Sequence, residues 1–166
     1  MSKQVSLLKR GIAFIVDLYL GSLLGTLPIS LATYMQLGYM TQNAYLLEKS
    51  IACLVMGLSM IFIMFYYVVI PLKIFKGQTL GKKLMNIHIA YDQSSMLVKR
   101  QLIFMICMTS FGTLVGQFLS VAFEANIMEI MNDITMSISL VCIAMILFMK
   151  DHNGLYDRLA KTHIQE

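Results

Sequence analysis

The chain has 166 residues, of which 58% are hydrophobic and only 13% charged, and its mean hydropathy is +0.72. A soluble domain carries about 25% charged residues, so this balance excludes a water-soluble globule, and the length leaves room for a single membrane domain over residues 1–166. The net charge of +4 does not signal nucleic acid, because the basic residues flank apolar runs, where they meet anionic lipid headgroups.

The apolar runs predict an all-α integral membrane bundle of about four transmembrane helices, at 11–37, 51–72, 102–123 and 134–149. A loop at 73–100 forms a small cap, and a tail follows from 150 to 166. Basic residues precede the first run, as in a signal peptide. The run is too long for one, however, and no small-residue cleavage site follows closely, so an uncleaved first helix is expected. Charge placement sets the topology. Lys3, Lys9 and Arg10 precede the first span; Lys73, Lys76, Lys82, Lys83, Lys99 and Arg100 lie between the second and third; Lys150, Arg158 and Lys161 follow the fourth. Only Lys49 of the 13 basic residues falls on the other side, beside Glu48, Glu124, Glu129 and Asp133. The positive-inside rule then places both termini and the middle loop in the cytoplasm, with the lipid bilayer as the first partner.

The first span opens with Arg10 and carries Asp17 within its apolar run. Seven residues return to the same helical face, about 10 Å further along the axis. A carboxylate in an apolar span is costly enough to mark a functional site; near the interface it can instead be hydrated and simply fix how the helix docks. Gly21 and Gly25 follow at the spacing that lets helices approach closely in lipid, and Pro28 predicts a kink.

In the second span Met56, Met60 and Met64 form a packing stripe, and Tyr66 and Tyr67 read as interfacial aromatics near its end. The middle loop holds Lys76-Gly77-Gln78-Thr79-Leu80-Gly81-Lys82-Lys83. A phosphate loop needs four residues between its glycines and a Ser or Thr after the lysine; here there are three, and Lys83 follows Lys82. A tight turn followed by a basic amphipathic segment is expected instead. From Met85 to Tyr91 apolar and polar residues alternate as in a half-buried strand. Asp92–Ser95 reads as a turn, and Met96-Leu97-Val98 would pair back to make a hairpin. His88 falls on the polar side of that strand.

The third span carries Gly112, Gly116 and Ser120, a second close-packing face. It can meet the Gly21–Gly25 face within one chain, the preferred use, or across a homodimer. The fourth span has only sixteen residues and needs Lys150 to snorkel or the bilayer to thin. In the tail, Asn153-Gly154 makes a turn, after which Leu155 and Leu159 share a helical face and Asp157 pairs with Lys161 on a short amphipathic helix. Cys53, Cys107 and Cys142 lie in separate spans and read as small hydrophobes, with neither a disulfide framework nor a metal site expected. No zinc-peptidase motif occurs, no nucleophile has an adjacent base, and no span holds a carboxylate pair. An enzyme is therefore not expected, nor is a cofactor.

Arg10 and Asp17, the Gly77-x-Thr79-x-Gly81-Lys82 loop and the Tyr156-Asp157-Arg158-Leu159-Ala160-x-Thr162 tail together resemble the RDD family of bacterial membrane proteins. The family is named for one arginine and two aspartates, which match Arg10, Asp17 and Asp157; its basic residue ahead of the third span matches Arg100. The family's tail usually has a histidine before the aspartate where this chain has Tyr156, which removes the basis for a histidine proton relay. The resemblance implies either transport, including sodium/proton exchange, or a regulatory or protective role against membrane-active peptides or a membrane protease. Two readings follow. In one, Asp17 exchanges a cation or proton against Arg10, Arg100 or Arg158, and so small a protein, lacking internal repeats, works as an oligomer. In the other, the preferred one, Arg10, Asp17 and Asp157 form a structural cluster that ties the cytoplasmic cap to the first helix, and the protein binds a membrane-protein or peptide partner.

Overall fold

The computed structural model describes residues 5–149 and 153–165. Lys150 and the start of the tail, and with them the expected snorkelling, lie outside the described residues. The fold is an all-α membrane bundle, closed at one end by a cap of short elements.

Helix α1 (Leu7–Leu37) starts four residues before the expected span, because Ser6 caps it by accepting from the Lys9 amide at 3.3 Å. It runs as one assigned helix through Pro28 and stops at Gly38, whose φ of 79° is the left-handed turn that ends helices. At 31 residues, or about 46 Å, it outreaches the hydrocarbon core. Thr33 pins the loop that follows, its hydroxyl accepting from Thr41 N and donating to Thr41 O.

Helix α2 (Lys49–Met64) continues without a break as a π-helix over Phe65–Ile74, so the second span has 26 residues rather than ending at 72. π-turns are rare and gather at functional sites. This one turns two adjacent tyrosines toward α1. A five-residue helix, α3 (Leu80–Leu84), lies against α1 and is followed by strand β1 (His88–Ala90).

The third span departs most from expectation. Helix α4 begins at Ser94 and ends at Met108; α5 runs from Phe111 to Phe123; the two are bent by 71°. Backbone freed inside a membrane must be satisfied locally. The Thr109 hydroxyl accepts from Phe111 N at 3.2 Å, and Ser139 donates to the Cys107 carbonyl. Because Ser94–Val98 is helical, the expected hairpin does not form. Strand β1 instead pairs antiparallel with β2 (His163–Gln165), with Ile89 opposite Ile164, so the strand was legible but its partner was not.

Helix α6 (Ile127–Phe148) has 22 residues, long enough to cross without thinning, because Ser120 caps it by accepting from Ile127 N and Met128 N. Among the described residues three helices are long and apolar enough to span a bilayer, or four if the bent α4–α5 pair is one broken span rather than a re-entrant loop. Gly21, Gly25, Gly112 and Gly116 are all buried, but the two glycine faces do not meet. Gly21 receives Tyr67 and Gly25 receives Ile63 of the second span; Gly112 receives Thr135 and Gly116 receives Met131 of α6. Close packing is intramolecular, as preferred, with other partners. The tail helix α7 (Leu155–Ala160) packs on α4.

Candidate functional site

Ten residues into α1, Asp17 is 1% exposed. Its carboxylate faces the N-terminal turn of α3, where backbone N–H groups lack intrahelical partners. The Gly81 amide donates to Oδ1 at 2.8 Å. The Tyr66 hydroxyl donates to the same oxygen at 2.7 Å, and Thr79 donates to Oδ2. Lys82 Nζ stands 3.8 Å from Oδ2 and donates to the Thr79 hydroxyl at 3.4 Å. Tyr67 reaches the same residue from another side, donating to the Asp17 backbone carbonyl at 2.8 Å. A carboxylate offers about four acceptor positions, and here three hydrogen bonds and one ion pair occupy them.

Glycine is required at position 81 because any Cβ there would strike the Ala13 carbonyl oxygen and crowd the Asp17 carboxyl. Gly77 has φ 98°, and its carbonyl accepts from Ile89 N at 3.2 Å. Gln78 donates to the Ile87 carbonyl at 3.0 Å, holding the loop beside β1. The loop motif is therefore a docking element for α1, with Lys82 as its cation. Burial first, and then Arg100, push the Lys82 ammonium down to about 8, with Asp17 and Asp157 pulling the other way.

The second carboxylate, Asp157, is fully buried. Arg100 Nε donates to its Oδ1 at 2.7 Å, Arg10 stands 3.9 Å from Oδ2, and Gly154 N donates to Oδ2 at 3.3 Å. Arg100 also lies over the Tyr156 ring at 4.9 Å, and burial pushes that phenol up. The expected surface pair of Asp157 with Lys161 is replaced by this buried site, because Lys161 is the left-handed residue that ends α7.

The structure thus divides the predicted cluster in two. Asp17 is held by Lys82 and Asp157 by Arg100 and Arg10, so the aspartates share no arginine among the described ion pairs. Arg158 is exposed on α7. Sequence reasoning missed Tyr66 and Tyr67, which are 1% exposed rather than interfacial. Two phenols within an apolar run, each needing a hydrogen-bond partner, were the available signal. His88 is exposed, as its place on the strand suggested.

Two cavities flank this region. One, of about 410 Å³, lies at the α4–α5 break and is lined by Ser22, Thr109, Ser110, Thr113, Asn132 and Ser139, with Tyr67 and Met108 in its wall. The other, of about 310 Å³, lies toward the cap, with Asp17, Arg10, Lys82, Arg100 and Met108 in its lining.

The sequence model of the RDD family matches residues 5–161. No curated protein and no solved structure matches the chain.

Proposed function

The chain belongs to the RDD family, and on that premise we propose that it is a non-enzymatic accessory factor of a bacterial cell membrane, one that holds a membrane-protein or peptide partner. In this reading the cap and both termini are cytoplasmic. The observation that carries it is the filled coordination of Asp17, whose acceptor positions go to Tyr66, Gly81, Thr79 and Lys82. A cation entering there must displace an ammonium and break hydrogen bonds that hold the cap. Both buried aspartates serve as tethers, Asp17 for the loop and Asp157 for the tail. Helix α6, with only 11% of its most apolar window buried inside the protein, offers the partner surface in the bilayer.

A second reading, a small oligomeric cation or proton transporter centred on Asp17, is favoured by the polar cavity. Its Ser22 wall sits at the middle of α1, and Met108 lines both it and the cavity that Asp17 lines. A flux assay on protein in liposomes separates the two. Under sodium, potassium and proton gradients the wild type is expected to show no flux above empty vesicles. Flux that disappears in a folded Asp17→Asn variant would establish the transporter instead.

A further inference from the structure

The cavity near the cap combines two surfaces that seldom meet. Its floor holds the cationic groups of Arg10, Lys82 and Arg100, and its walls are apolar, formed by Phe14 of α1 and Ile143 and Leu147 of α6. These two helices pack mainly on different neighbours, α1 on α2 and α3, α6 on α4 and α5, and the cleft between them faces the lipid. Ile143 and Leu147 are 42% and 55% exposed. The three cations are met by two carboxylates, Asp17 and Asp157. Among the described residues these groups therefore leave one positive charge in excess beside apolar side chains, where an uncompensated charge is costly. The proton affinity of Lys82 is lowered first by burial and then by Arg100. Charge and shape call for one kind of occupant, with an anionic head at the floor and a hydrocarbon chain between the helices.

We propose that this cleft binds one anionic phospholipid, its phosphate set against Lys82, Arg10 and Arg100 and one acyl chain lying between α1 and α6. The proposal does not depend on the accessory role or on the transporter reading, since a resident lipid is compatible with either.

Gly11 supplies the decisive variant. It lines the cleft, and a Cβ added there meets nothing within 4 Å. Gly11→Leu is thus expected to place its side chain in the cleft while leaving the charged residues in place, and replacing glycine inside a helix favours folding. The full chain in neutral detergent micelles is titrated with phosphatidylglycerol, phosphatidylcholine or inorganic phosphate. Bound lipid is counted by native mass spectrometry, and the melting temperature is followed in parallel. Wild type is expected to retain one phosphatidylglycerol, to melt higher with it, and to respond to neither phosphatidylcholine nor phosphate. Gly11→Leu should lose retention while melting normally without lipid. Lys82→Gln should bind about fivefold more weakly, the factor for one basic group at an anionic headgroup. Equal retention of phosphatidylcholine, the same stabilisation by inorganic phosphate, or undiminished retention in Gly11→Leu overturns the proposal.

Discussion

At the residue scale, Asp17 and Lys82 are a buried pair whose members are worth most together. Removing one partner of such a pair costs about 3 kcal/mol or more, because the other charge is left without compensation. Asp17→Asn also turns an amide N–H₂ toward the donors Thr79 and Lys82. We expect that variant to lose about 3 kcal/mol in denaturant unfolding in micelles, and Lys82→Met, added to it, to restore part of the loss. A loss no larger than that of an exposed substitution would mean that the carboxylate is not a tether. Lys82 also sets a pH dependence. Its ammonium is lowered from 10.5 to about 8, with burial as the first cause. Between those two values the unfolded chain holds a proton that the native protein has shed, so this residue makes stability rise with pH across that window, by up to about 3 kcal/mol. Below pH 8 both states are protonated and the contribution is flat. Lys82→Met removes the titrating ammonium, which lies 5.3 Å from the centre of the Phe104 ring, and should abolish the rise. Parallel stability curves for variant and wild type over the window would refute the assignment.

At the scale of elements, the cap is held by geometry that spacing alone could only partly announce. The two glycines and the lysine of the loop were conspicuous in the sequence, and their failure as a phosphate loop was decidable by counting residues. Their real use needed the approach of α3 to α1, a contact between residues more than sixty positions apart that no local pattern encodes. Gly81→Ala tests it: the added Cβ meets the Ala13 carbonyl, which is backbone and cannot rotate away. A cost of about 2 kcal/mol is expected, typical of overpacking, against none for Gly11→Ala; equal melting temperatures would show that α3 can shift freely. The hairpin failed for a related reason. Alternation marked the strand around Ile87 and Ile89, but β2 lies at the far end of the chain, and Met96–Val98 had apolar content that serves a helix equally well. The π-stretch contains Pro71, yet the turning of Tyr66 and Tyr67 onto α1 depends on the hydrogen bonds they make there. The tail behaved likewise. Its helix was readable after the Asn153-Gly154 turn, but the i, i+4 rule paired Asp157 with Lys161 because it sees only its own helix; the link of Asp157 to Arg10 came from the family resemblance, and its contact with Arg100 of α4 from the fold.

At the scale of the whole molecule, the class and the number of spans were legible because both follow from composition and run length, which act everywhere along the chain. The same holds for the sidedness of charge. The start of α1, the π-stretch with Lys73, α3, the start of α4 and the tail converge on one end, bound together by the contacts of α3 with α1, of α7 with α4 and of β1 with β2. At the other end Lys49 pairs with Glu124 at 2.6 Å, and that ion pair holds the Glu124 carboxyl below its ordinary range. Both side chains are exposed, so the pair contributes little to stability and tolerates replacement. That tolerance makes it the right place to test orientation. Lysine-rich ends stay on the side from which the chain is inserted, where translocation of positive charge is opposed. With the three native cysteines replaced by alanine or serine, Lys49→Cys should react with a membrane-impermeant maleimide added to intact cells. Lys76→Cys, in the capped end at the left-handed turn before Gly77, should react only after the cells are opened. The reverse pattern would place the cap outside and overturn the cytoplasmic position of the cap and termini in the proposed role. Labelling of both positions in intact cells would mean that the chain inserts in two orientations.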